Sequence, residues 1–192
     1  MYTIKNDYID KNKYSRPGKK LSSISGIVIH WTKNWDKGAT ALANRNYFNN
    51  LDVINRNRIE EGEDPIFASA HEIIDRKQIV QAIPLDEVAY HLSYDDTLHY
   101  NPNIVTKFGV PNYNFLAIEV VPINALGEMH KKTYMNLLYR TYDLLRFADI
   151  TTKRLFLHND FTGKNCHKFF VEFPEKWQEF KQTLHNWFIN ER

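Results

Sequence analysis

The sequence predicts a single α/β domain with a central, mixed β-sheet flanked by helices. Short β-branched or apolar runs alternate with longer stretches of helical periodicity, the pattern of strands interleaved with covering helices. Two of the runs, GIVIH at 26–30 and LFLH at 155–158, end in histidine, as buried strands do when they deliver a polar side chain to a sheet edge. The 192 residues contain no internal repeat or low-complexity linker, and that length suits one core.

Residues 1–23 read as a solvated, loosely ordered N-terminal arm in which Lys11, Lys13, Arg16, Lys19 and Lys20 concentrate. The strand at 26–30 follows and ends on His30. Residues 39–51 carry Ala, Leu, Tyr and Phe at helical spacing and read as a helix. Residues 55–64 are polar and charged and stop before Pro65, so they read as an exposed loop. The runs 68–75 and 79–83, joined by Arg76, Lys77 and Gln78, form a hairpin. A further strand, FLAIEVV at 115–121, is interrupted by Glu119. A carboxylate in a central strand must be paired, protonated, metal-linked or aimed into a cleft, because an isolated buried charge is too costly. Residues 128–147, with Met129, Tyr134, Leu137, Leu138, Leu144 and Leu145, form a long amphipathic helix. After the short strand ending at His158, a closing helix at 174–190 starts with Pro in its first turn and carries Trp177, Phe180, Leu184 and Phe188.

Composition narrows the class of function. Hydrophobic residues at 43% and charged residues at 25% place the chain among globular proteins rather than disordered or fibrous ones. Twelve Phe, eleven Tyr and four Trp can fill a core or line a groove for a sugar or peptide. A formal charge of +2 gives no argument for a nucleic-acid partner. The single cysteine excludes an intrachain disulfide. The start, MYTIKNDYIDKNKY, lacks a secretory apolar run, and no stretch of about 18 apolar residues could span a membrane. The expectation is a chain synthesised in the cytoplasm without a signal peptide and not inserted in a membrane.

The segment HNDFTGKNC at 158–166 is the strongest chemical signal. A strand-ending histidine followed by a Gly-containing loop that returns a cysteine can bring imidazole nitrogen and thiolate to one zinc ion, at about 2.0 and 2.3 Å. Two ligands do not make a stable site. His30 is the natural candidate for a third, because neighbouring strands end at a common edge. Three protein ligands leave zinc a fourth position for water, as catalytic sites require.

His30 within IVIHWT, the stretch SAHEIIDRKQIVQAIPLDEVAYH, Glu119 within FLAIEVV and the HNDFTGKNC segment, taken together and in this order, resemble the zinc-dependent N-acetylmuramoyl-L-alanine amidases of phage and prophage lysins. These are the type 2 amidases, similar in fold to peptidoglycan recognition proteins. The resemblance runs over residues 24–170 and implies one catalytic domain spanning 1–192. It implies Zn2+ held by His30, His158 and Cys166, with Glu119 as the catalytic glutamate and Lys164 as the catalytic lysine. The implied partner is bacterial peptidoglycan, cut at the amide between N-acetylmuramic acid and L-alanine by an endolysin that reaches the wall after release. A non-catalytic peptidoglycan-binding module and an amidase of muropeptide turnover are the alternatives. Two departures from the family stand out: His167 follows Cys166 where many relatives have Pro, and residues 55–66 and 94–112 are longer than usual.

The remaining histidines divide by setting. His71, on a strand between Ala70 and Glu72, reads as structural packing, and His91 reads as a groove residue that contacts substrate. His99, His130 and His185 sit in polar or helical-surface settings and read as incidental.

Overall fold

Strands β1 (Ile4–Asn6), β2 (Gly26–Trp31), β3 (Glu72–Ile74), β4 (Ile79–Gln81), β5 (Phe115–Val120) and β6 (Leu155–Leu157) form one sheet in the order β1-β4-β3-β5-β2-β6. The computed structural model describes residues 2–92 and 100–190. Every neighbouring pair is parallel except β3 with β4, so the sheet is mixed, as expected. Its central strands are covered on both faces, which is why they read as unbroken apolar runs.

One face carries Ile27, Ile29, Leu116, Ile118 and Leu157, packed with Leu137, Leu138 and Leu145 of α5 (Lys131–Phe147) and Phe180 and Leu184 of α8 (Pro174–Asn190). The opposite face carries Val28 and Ala117 and leads, one step further along each strand, to His30 and Glu119. Gly26 opens β2 because a Cβ there would lie 2.7 Å from the Phe115 ring and 2.8 Å from the Arg154 carbonyl oxygen. No described helix is long and apolar enough to cross a membrane.

The fold departs from the sequence reading at both ends of its first half. Residues 2–23 are not a loose arm: β1 pairs with β4, Ile9 and Tyr14 are buried, and Arg16 makes a two-pronged ion pair with Glu87 at 2.8 and 3.0 Å. The lysines mask two apolar anchors and one paired arginine. Residues 55–64 are not a loop either. After α1 (Ala41–Asn49), α2 (Leu51–Glu60) covers most of them. Its inward face carries Leu51 and, one turn on, the fully buried Asn55. The Asn55 amide donates to the Ile66 carbonyl at 2.8 Å and accepts the Ile66 N–H at 2.7 Å. A hydrogen-bonded asparagine occupies the position where hydrophobic periodicity needs a leucine.

Other differences are of extent. The hairpin strands are shorter than 68–75 and 79–83, because Asp75 turns the chain by accepting the Lys77 and Gln78 N–H groups at 2.7 and 2.9 Å. The helix expected at 128–147 starts at Lys131, and His130 is its N-cap, with Nδ1 accepting the Lys132 N–H at 3.0 Å. Short helices α3 (Pro102–Phe108), α4 (Pro111–Asn114), α6 (His158–Thr162) and α7 (Lys168–Glu172) span too few turns to print an amphipathic period.

Two buried polar groups stabilise the sheet through partners the sequence does not reveal. Glu72 on β3 is fully buried and meets Arg140 of α5, Nε at 2.8 Å from Oε2 and Nη2 at 2.5 Å from Oε1. Burial raises the Glu72 carboxyl above its usual range, and Arg140 opposes that shift. Arg140→Ala is therefore expected to cost about 3–5 kcal/mol, since it strands a buried carboxylate. A urea unfolding midpoint that moves by less than a surface substitution would contradict this.

His71 uses both ring nitrogens: Nδ1 accepts the Ala117 N–H at 3.0 Å, and Nε2 donates to the Glu87 carbonyl at 2.9 Å. This is the packing role read from its strand position. Burial lowers its pKa from 6.5 to about 4. The folded chain keeps His71 neutral while the unfolded chain protonates it near pH 6.5. Its contribution is thus complete above that pH and is lost as pH falls toward about 4, by about 3 kcal/mol in total. In His71→Gln the stability-versus-pH curve should be flatter across this window, and an unchanged curve would show that His71 is not the linked group.

Candidate active site

Strand register assembles the site. His30 on β2 lies directly opposite Glu119 on β5, and Leu157 of β6 lies opposite Ile29, so His158, the next residue, reaches the same rung beside His30. These are the C-terminal ends of parallel strands, where open α/β sheets place their ligands. The Asp160 carboxylate accepts the Leu157 N–H at 2.7 Å, which satisfies a donor as β6 passes into α6. Gly163, at φ 74°, ends α6 in the left-handed conformation that glycine adopts freely. Asn159 then pins the returning chain: its N–H donates to the Cys166 carbonyl at 2.8 Å and its amide to the Lys164 carbonyl at 3.0 Å. The segment read as a loop is thus one helical turn followed by a clamped return, and it brings back Cys166 as expected.

His30 Nδ1 lies 3.2 Å from His158 Nδ1 and 3.8 Å from Cys166 Sγ. The three ligand atoms lie within 4.8 Å of one another, and all three residues are buried. Burial holds His30 well below the ordinary histidine range, lowers His158 to about 3 and pushes the Cys166 thiol up to about 12. Three buried donors converge on one point as neutral groups. Two imidazole nitrogens and one sulfur are a donor set suited to zinc.

Glu119 is half-buried, and its Oε2 is enclosed without a hydrogen-bond partner. Burial raises its carboxyl to about 8, with Lys164 pulling the other way. A carboxyl in that range can both accept and release a proton near neutral pH. A cavity of about 570 Å³ connects His30, His91, Glu119, His158, Lys164 and Cys166, so the structure brings together all six candidate residues. Aromatic side chains Trp31, Phe48, Phe67, Tyr90 and Tyr100 form its walls. His91, expected to contact substrate, has its Nδ1 3.0 Å from His30 Nε2.

Several residues fall outside this group. His167 is fully buried, lies tilted against Phe170 at 4.9 Å between ring centres, and does not line the cavity. His185 is exposed on α8. His99 and part of the long 94–112 segment lie outside the described residues. The sequence reading missed Asn112, a buried side chain whose Oδ1 accepts the His91 and Leu92 N–H groups at 3.1 and 3.0 Å. Nothing local marks it, since its role depends on a segment about twenty residues away.

A family model described as N-acetylmuramoyl-L-alanine amidase matches residues 20–169. A probable N-acetylmuramoyl-L-alanine amidase of Bacillus licheniformis is 35% identical over 167 residues, covering 86% of this chain and 42% of that protein. The amidase BlyA of Bacillus subtilis strain 168 is 34% identical, covering 96% of this chain and 47% of its own length. The chain therefore spans about half the length of the curated relatives it matches. In fold, it is similar to a mutant endolysin from Bacillus subtilis, with TM-score 0.72 and 24% identity over 96% of this chain and 99% of that one. The catalytic domain of XlyA is also similar, with TM-score 0.69 and 22% identity over 95% and 99% of the two chains.

Proposed function

Because the chain belongs to the N-acetylmuramoyl-L-alanine amidase family, we propose that it hydrolyses the amide between N-acetylmuramic acid and L-alanine in bacterial peptidoglycan, as the catalytic domain of a phage or prophage endolysin. The observation that carries this reading is the convergence of His30, His158 and Cys166 beside an unpartnered Glu119 oxygen in one cavity. A module that only bound the wall would need neither the donor set nor the carboxyl. On this reading the chain, made in the cytoplasm, acts on the wall after release.

His30, His158 and Cys166 would hold zinc, since His30 Nδ1, His158 Nδ1 and Cys166 Sγ are the atoms that face one another. When bound, zinc supplies Lewis acidity toward the scissile carbonyl and makes an attacking water more acidic. Glu119 takes a proton from that water at Oε2 and returns it to the departing L-alanine amine. The Lys164 ammonium, on the clamped return from α6, stabilises negative charge on the carbonyl oxygen. His91 lines the cavity along which the substrate lies. The aromatic walls exclude water and offer faces to the sugar ring and peptide.

Digestion of purified peptidoglycan, followed by mass analysis, tests the reading. The expected products are free lactyl carboxyls paired with new L-alanine amino termini, formed with zinc and lost with a chelator. Intact sacculi together with cleavage of soluble muropeptides would assign the chain to wall turnover instead. No cleavage of either substrate would overturn the amidase reading.

A further inference from the structure

We propose that His91 is a positioning residue that sets the tautomer and ring orientation of His30, with Asn112 holding His91 in place. The inference rests on the reading of His30 as a zinc ligand through Nδ1.

The two nitrogens of His30 face different partners. Nδ1 points toward His158 and Cys166, while Nε2 lies 3.0 Å from His91 Nδ1. Two imidazole nitrogens this close share one N–H, with one ring donating and the other accepting. One hydrogen bond joins them, and it can run in either direction. If His91 donates, the proton of His30 must sit on Nδ1, among the other donors, and its lone pair is lost to a cation. If His30 donates through Nε2, its Nδ1 lone pair is free for zinc and the proton of His91 sits on its own Nε2. Only the second arrangement leaves His30 Nδ1, the nitrogen that faces His158 and Cys166, able to hold a cation.

The placement of His91 fits this role better than a polar contact with substrate. Its Nδ1 is engaged by His30 and its Nε2 is enclosed, so neither nitrogen is offered to the cavity. The two rings meet edge-on at 86°, with centres 5.1 Å apart. The backbone beneath is fixed from two directions. Asn112 accepts the His91 and Leu92 N–H groups and donates to the Leu92 carbonyl at 3.0 Å, and the Tyr100 hydroxyl donates to that same carbonyl at 2.6 Å. Asn112 belongs to α4, which runs straight into β5 and Glu119, so one short stretch carries both the clamp on His91 and the proposed base. A metal-ligating histidine usually gives its second N–H to a carboxylate, a carbonyl or water. Here a clamped imidazole takes that place.

The test measures zinc affinity by competition with a chromophoric chelator, together with the visible spectrum of the cobalt-substituted protein. His91→Phe removes the acceptor and is expected to weaken zinc by about 10–100-fold and to alter the cobalt bands. His91→Gln, whose Oε1 can accept the same N–H, should restore most of the affinity and the spectrum. Where the phenyl ring prevents folding, His91→Asn, too short to reach His30, should show the loss. Wild-type zinc affinity and cobalt spectrum in the Phe and Asn variants, with only a raised KM for wall fragments, would make His91 a substrate contact and overturn the proposal. If the unaltered chain binds neither metal, the zinc reading itself fails and this assignment falls with it.

Discussion

Cys166→Ser is expected to remove zinc from the chain and, with it, more than about 100-fold of the hydrolytic rate, a larger loss than second-sphere changes produce. The reason lies in the burial of the thiol. With its pKa pushed up to about 12, Cys166 keeps its proton near neutral pH unless a metal displaces it into solvent. A serine hydroxyl in that enclosure is a poorer ligand and leaves two imidazoles, which do not make a stable site. Metal analysis should show zinc near background. Zinc added to the unaltered protein should raise its Tm, because a ligand that binds only the folded state stabilises it, and the variant should not respond. Full activity with unchanged metal content would remove Cys166 from the ligand set.

Glu119→Gln is expected to keep zinc and lose turnover by about 10²–10⁴-fold. Glu119 shares its rung with His30 and belongs to the same cavity, yet its Oε2 has no partner. Such a carboxyl contributes little that the fold needs and is available for proton transfer. The amide of Gln keeps the shape but cannot take a proton from water. Glu119→Ala, which leaves no polar group behind, should lose turnover to a similar degree. If either variant loses zinc in proportion to activity, the carboxyl supports the metal instead of moving a proton.

These expectations draw on two kinds of information. The cluster of His30, His158 and Cys166 was legible because each member carries a local mark: His30 and His158 end apolar runs, and Cys166 returns after Gly163 in a short polar segment. Glu119 was legible for the opposite reason, a charge where a strand should be apolar. Helix α2 was not, because its inward face places Asn55 where periodicity looks for a leucine. The ordered N-terminal segment was hidden in the same way, with Ile9 and Tyr14 set among exposed lysines.

The sequence by itself determined the mixed sheet, the covering helices and the residue types that meet at the site, since periodicity and strand-end chemistry are local properties. Only the tertiary structure decided the partner of each buried polar group. Glu72 finds Arg140 on α5, His71 finds the Glu87 carbonyl, and His91 finds His30 while Asn112 clamps it. These choices depend on strand register and helix docking between segments far apart in the chain. A buried donor or acceptor must pair with whatever the fold brings within about 3 Å, and no local pattern encodes that neighbour.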